Sequence, residues 1–211
     1  MHNKTAVAYT AVVFPPMPHA PLAPDVTDLL GVFRIGLVNG LWDNQQVVAW
    51  ADACVLAEDA PSEPVLDLAL SAHRSRNDLV ETLDGYIGDP LPAVSARVVL
   101  GLLHAQYTAG VLPLARVVRT MDWLQWHGNL SEAEATHLAG VEDEYYVAVA
   151  GNRGPLVLAL HAIDEYVRKA LSYYAPLTFD NQVEWSGLVP EIVAQVQAVQ
   201  REWLSRVRSS S

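Results

Sequence analysis

The sequence predicts an all-α fold: an irregular bundle of about eight helices around one central apolar helix, with a Pro-rich N-terminal arm. Three observations predict it. From Pro92 to Thr108 a helical wheel is apolar almost all round, through Ala93, Val94, Ala96, Val98, Val99, Leu100, Leu102, Leu103, Ala105 and Tyr107. A helix without a wet face belongs in an interior. On both sides of it, segments that begin with a capping residue and carry one apolar stripe follow one another through short Gly and Pro connectors. No repeat of fixed period is present, so a bundle is expected rather than a solenoid.

Taken in order, residues 1–24 form the arm. Ala6 to Phe14 has strand composition, but no second strand exists to pair with it. Pro15, Pro16, Pro18, Pro21 and Pro24 then read as an extended polyproline-like segment. A single helical domain spans 25–208. Asp25 or Thr27 caps a helix to about Gly40, with Leu29, Leu30, Phe33 and Leu37 on one side. Asp43 with Gln46 is a capping-box start, and Val47, Trp50, Ala51, Cys54 and Val55 make the stripe that follows. Pro64 opens a short helix bearing Leu66, Leu68 and Leu70. Ser75 with Asp78 opens the next, which carries Leu79, Leu83 and Tyr86 and ends in the turn cluster Gly85, Gly88, Asp89 and Pro90.

The central helix stops at Gly110, a left-handed cap position. Pro113 starts its successor. Leu114, Val117, Val118, Met121 and Leu124 face inward there, and Arg116, Arg119, Trp123 and His127 lie on the other side. Ser131 with Glu134 is the clearest capping box, opening one helix through Leu138, Val141, Tyr145 and Val149. After the tight connector Gly151 to Pro155, a helix carries Leu156, Leu160, Ile163, Val167, Leu171 and Tyr174 inward. Pro176 to Gly187 is a loop with Trp185 folded back on the core. A last helix runs from about Leu188 to Arg208 on the stripe Ile192, Val196, Val199 and Trp203, and 209–211 is a tail.

Composition narrows the function. Of 211 residues, 51% are hydrophobic, enough for a core. Thirteen Lys and Arg against 24 Asp and Glu give a net charge of −11, which opposes nucleic-acid binding. Only Arg201, Arg206 and Arg208 speak for it. Cys54 is the single cysteine and sits on an apolar stripe, so no internal disulfide can form. A reducing, cytoplasmic setting and an inert thiol are expected. No secretory signal or membrane span is legible. No cofactor, metal motif or catalytic signature is found.

Three side-chain sets carry possible chemistry. Glu142, Asp143 and Glu144, with Trp123 and Trp126 nearby, suit a basic protein partner, because aromatic groups beside charge typify contact hot spots. Arg97, Gly101, His104 and Thr108 form the one polar stripe of the central helix and suit a small anionic ligand. His161, Asp164, Glu165 and Arg168 share a face, where Asp164 to Arg168 and Glu165 to Lys169 have the spacing of surface ion pairs.

Gly36 and Gly40 before Trp42, followed by Val47-Val48-Ala49-Trp50-Ala51-Asp52, resemble small acidic bacterial proteins that act by binding, such as immunity proteins that neutralise a toxin. That resemblance implies a binding role. The expected function is therefore a non-enzymatic, soluble helical protein, immunity- or adaptor-like, with Glu142, Asp143, Glu144, Trp123 and Trp126 at the contact. The alternative is a ligand-binding or enzymatic pocket on the central helix. An apolar helix face left over from the bundle would call for a second copy of the chain.

Overall fold

In a computed structural model, residues 26–151 and 155–209 are described, with side chains through 202 and at 205. The Pro-rich arm, residues 152–154 of the connector, the Trp203 side chain and residues 210–211 lie outside them. Among the described residues every regular element is a helix. The order is α1 (Thr27–Val38), α2 (Asn44–Ala57), α3 (Glu63–Ala69), α4 (Arg76–Ile87), α5 (Ala93–Thr108), α6 (Leu114–His127), α7 (Glu132–Leu138), α8 (Val141–Val149), α9 (Leu156–Ser172) and α10 (Trp185–Ser209), with a 3-10 turn at Phe179–Glu184. None of these helices is long and apolar enough to cross a membrane.

The apolar stretch is the central helix. On α5, Ala96, Val98, Val99, Leu100, Leu102, Leu103 and Tyr107 are all buried, and α1, α6, α9 and α10 pack around it. Gly101 makes this possible. A Cβ there would stand 2.3 Å from the Leu177 carbonyl oxygen and 2.5 Å from that of Tyr174. The turn that follows α9 therefore lies directly on the α5 backbone. Beside it, Phe33 packs with Trp50 (centroids 4.7 Å apart) and with Trp42 (5.9 Å), and Trp42 meets Phe179 at 5.9 Å. These aromatic contacts join α1 and α2 to the 3-10 turn.

Capping chemistry sets the helix starts. Asp43 with Gln46, Ser75 with Asp78, and Ser131 with Glu134 all form reciprocal capping boxes. Gly110 is left-handed, with φ +72°.

Several expectations are corrected. Thr27 is the first residue of α1 and not its cap, because Val26 holds that position with no side-chain bond. Gly85 lies inside α4, and only Gly88 takes the left-handed turn. On α3 it is Val65 and Leu68 that are buried, while Leu66 and Leu70 face water. Leu156 at the start of α9 is exposed, and burial begins a turn or more later, at Ile163 and Val167. The loop before the last helix is shorter than expected. Trp185 starts α10 and is buried, its indole N–H donating to the Thr178 carbonyl at 2.7 Å.

The largest correction is at Ala139–Gly140. One helix was expected from Ser131 through Val149. Gly140 instead adopts φ +76° and divides it into α7 and α8. The break lets α7 turn Glu134 inward while α8 lies across α6 and α9.

Glu134 is fully buried, and so nearly is Arg97. The carboxylate accepts from Arg97 Nε at 2.8 Å and from Arg97 Nη2. It also accepts from the Ser131 backbone N–H at 2.9 Å, the Ser131 hydroxyl at 2.7 Å and the Tyr174 hydroxyl at 3.2 Å. Arg97 Nη1 donates to the Ala93 carbonyl. A buried pair is tolerated when both ions are this fully hydrogen-bonded, and removing one partner strands the other charge. We expect Glu134→Ala to cost about 3–5 kcal/mol, seen as a fall in melting temperature of roughly 10 °C for a chain of this size. The double variant Arg97→Met/Glu134→Leu should lose less than Glu134→Ala alone. An equal or greater loss in thermal melts would show that the pair is not the linchpin.

Candidate functional site

The outward side of α6 carries Arg116, Arg119, Trp123 and His127, as the helical spacing predicts. They form one wall of an open cavity of about 420 Å³, completed by Gly40 after α1, Arg76 at the start of α4 and Glu142 on α8. Arg116 is pinned: its Nη1 donates to the Asn39 carbonyl at 2.7 Å and to that of Gly40 at 3.3 Å. These carbonyls lie at the C-terminal end of α1, where a cation is favoured. Arg76 Nη1 and Arg116 Nη1 both lie within 4 Å of the point where a Gly40 side chain would begin.

Two indoles stand over this floor. Trp123 is half-buried, stacked on His127 with centroids 4.9 Å apart, and the Arg34 guanidinium lies 5.9 Å above its ring. Arg34 itself is paired with Asp84. Trp126, one turn on, is 72% exposed. At the α8 end of the cavity, burial and then the neighbouring Asp122 push the Glu142 carboxyl above the usual range. The Tyr146 hydroxyl, followed by Glu142, holds the Arg119 guanidinium more firmly charged.

The predicted partner-binding residues are thus divided. Glu142, Trp123 and Trp126 line one cavity. Asp143 is exposed outside it. Glu144 lines a second, more apolar groove of about 570 Å³ between α8 and α9, with Gly140, Ala148, Ile163 and Tyr166. The residues that sequence reasoning missed are Arg76 and Asp122. Arg76 lies far from α6 in the chain, and no local pattern announces that it faces Arg116.

The polar stripe of the central helix is used for packing. Arg97 is spent on Glu134, and Gly101 is filled by the Leu177 and Tyr174 carbonyls. Thr108 is exposed. His104 is half-buried, and burial and then Arg168 hold its imidazole below the usual range, toward the neutral form. The third set docks α9 on α5. Asp164 accepts from the Tyr107 hydroxyl and from Arg168 Nε at 3.0 Å, and the Arg168 guanidinium stacks 4.6 Å over the Tyr107 ring. His161 and Glu165 form an exposed pair at 3.5 Å. Cys54 is half-buried, and burial and then Glu58 push its thiol up to about 11, which suits an unreactive side chain. Among the described residues no cluster of three His, Cys, Asp or Glu is placed to hold a metal ion.

His137 lies in the last turn of α7 and packs against α9. Its ring meets those of Tyr166 and Tyr173, each at 5.8 Å, and Tyr166 donates to its carbonyl. Burial and then Lys169 lower its pKa from 6.5. The folded state therefore favours the neutral ring, so this stability is present above about pH 6.5 and is lost as the pH falls. The melting-temperature gap between the protein and its His137→Gln variant should shrink as pH drops from about 7.5 to 5.5. A gap that is constant across this range would contradict the assignment.

Comparison with protein-family models, with curated proteins and with solved structures finds no match to this chain.

Proposed function

We propose that this chain is a non-enzymatic binding protein, immunity- or adaptor-like, that receives a basic protein partner on the face built by α6 and α8. The observation that carries this reading is Trp126. An indole 72% exposed at the rim of a concave, charged surface forgoes burial worth about 1.5–3 kcal/mol. Such side chains anchor interfaces when a partner covers them. Tyr146, also half out in water, and Trp123 extend the aromatic rim. The negative charge of α8, exposed at Asp143 and Glu144, together with the net charge of −11, would steer a cationic partner toward this rim. Burial and then Asp164 push the Tyr107 hydroxyl up, and burial and then Glu134 push that of Tyr174 up, both in packing contacts of the interior. The lone, half-buried Cys54 agrees with a cytoplasmic setting.

The test is affinity capture from host lysate at low and moderate salt, with bound proteins identified by mass spectrometry. A basic protein should be retained by the parent chain, released as salt rises, and lost in both Trp126→Ala and the triple variant Glu142→Lys/Asp143→Lys/Glu144→Lys. Undiminished capture by both variants would sink the proposal.

A further inference from the structure

The cavity holds a charge arrangement that a basic protein partner does not explain. Thirteen Lys and Arg serve the whole chain, yet three of them, Arg76, Arg116 and Arg119, line this one cavity. Arg119 is balanced by Glu142 and Tyr146. Arg76 and Arg116 are not balanced: among the described residues neither is within ion-pair distance of a carboxylate. Their Nη1 atoms converge beside Gly40. Arg116 is fixed there by two carbonyls, which orient it through one nitrogen and leave the Nε and Nη2 donors for another acceptor. Arg76 is the first residue of α4, where the helix dipole already disfavours a cation. Two like charges brought together in a position that repels one of them are relieved by an anion between them.

We propose that this cavity binds a small phosphorylated ligand bearing a flat ring, of the mononucleotide class, with the phosphate between Arg76 and Arg116 and the ring against Trp126. Guanidinium forks match phosphate oxygens in pairs, which a lysine cannot do. Trp126 lies three residues on from Trp123 along α6 and is exposed, so it supplies a stacking surface beside the charge, while the Trp123 ring is already met by His127 and Arg34. A volume of about 420 Å³ lies within the range of small-molecule sites. Asp122 and Glu142, which interact with each other, also line the cavity, where ligand hydroxyl groups would meet them.

This site goes beyond the partner-binding reading and stands or falls without it, because its test contains no protein partner. The full-length chain is titrated with AMP, with pyrophosphate and with adenosine, following tryptophan fluorescence and heat. AMP should bind saturably and quench the indoles, and adenosine should bind at least about tenfold more weakly. Affinity should fall steeply as salt rises. Arg76→Glu should weaken AMP and pyrophosphate at least about tenfold with the melting temperature unchanged; Arg76 is exposed, so this variant is expected to fold. Arg116→Lys, which keeps a cation for the α1 carbonyls but loses the fork, should also weaken AMP and pyrophosphate. Trp126→Ala should weaken AMP and leave pyrophosphate unaffected. No saturable binding of AMP or pyrophosphate up to millimolar concentration would overturn the proposal. So would an affinity that neither Arg76→Glu nor Arg116→Lys changes.

Discussion

A single buried ion pair holds α5, α7 and the turn after α9 together. Arg97 and Glu134 are both out of water, so neither can be removed without stranding a charge. Their hydrogen bonds tie α5 to α7, and through the Tyr174 hydroxyl to the end of α9. The same carboxylate serves as the second half of the capping box that starts α7. One side chain thus decides where a helix begins, how deep it sits and which neighbours it meets. Gly101 complements it from the α5 side by letting the turn after Tyr174 rest on bare backbone.

With α7 committed inward, the chain has to change direction to cover the rest of the bundle. Gly140 supplies the turn, and α8 then crosses α6. This crossing creates the cavity. It brings Glu142 to Arg119 and leaves Trp126 on the rim, while Glu144 goes to the groove on the other side. The face that carries this cavity is thus a consequence of core geometry. An uninterrupted helix from Ser131 to Val149 would have carried the three acids on in the direction of α7 and left α6 differently covered.

Charge on this face is mixed at short range. Acidic α8 sets the long-range sign, since fields from exposed groups sum over distances comparable to the Debye length. Inside the cavity the nearest groups dominate, and there arginines prevail at the Gly40 end. A protein partner and a small phosphorylated ligand would therefore share the Trp126 rim and differ elsewhere: α8 serves the former, the arginine floor the latter.

Much of the fold was legible in the chain itself. The all-round apolarity of Pro92 to Thr108 marked the central helix, and the Asp43, Ser75 and Ser131 boxes marked three helix starts, because caps and periodicity are local properties that sequence spacing encodes directly. That Arg116, Arg119, Trp123 and His127 share the outward side of α6 was legible for the same reason. What sequence reasoning could not reach depended on pairs distant along the chain. Arg97 read as a ligand-binding residue because its polar stripe is visible locally, whereas its partner lies 37 residues away. The break at Gly140 was hidden because a lone glycine is tolerated within a helix, and only the pull of buried Glu134 shows why it turns here. Arg76 and Arg116 converge only when α1 sets its final carbonyls between α4 and α6. Local spacing determined the helices and their faces; the tertiary structure decided which charges meet, because burial and ion pairing depend on distance in space and not along the chain.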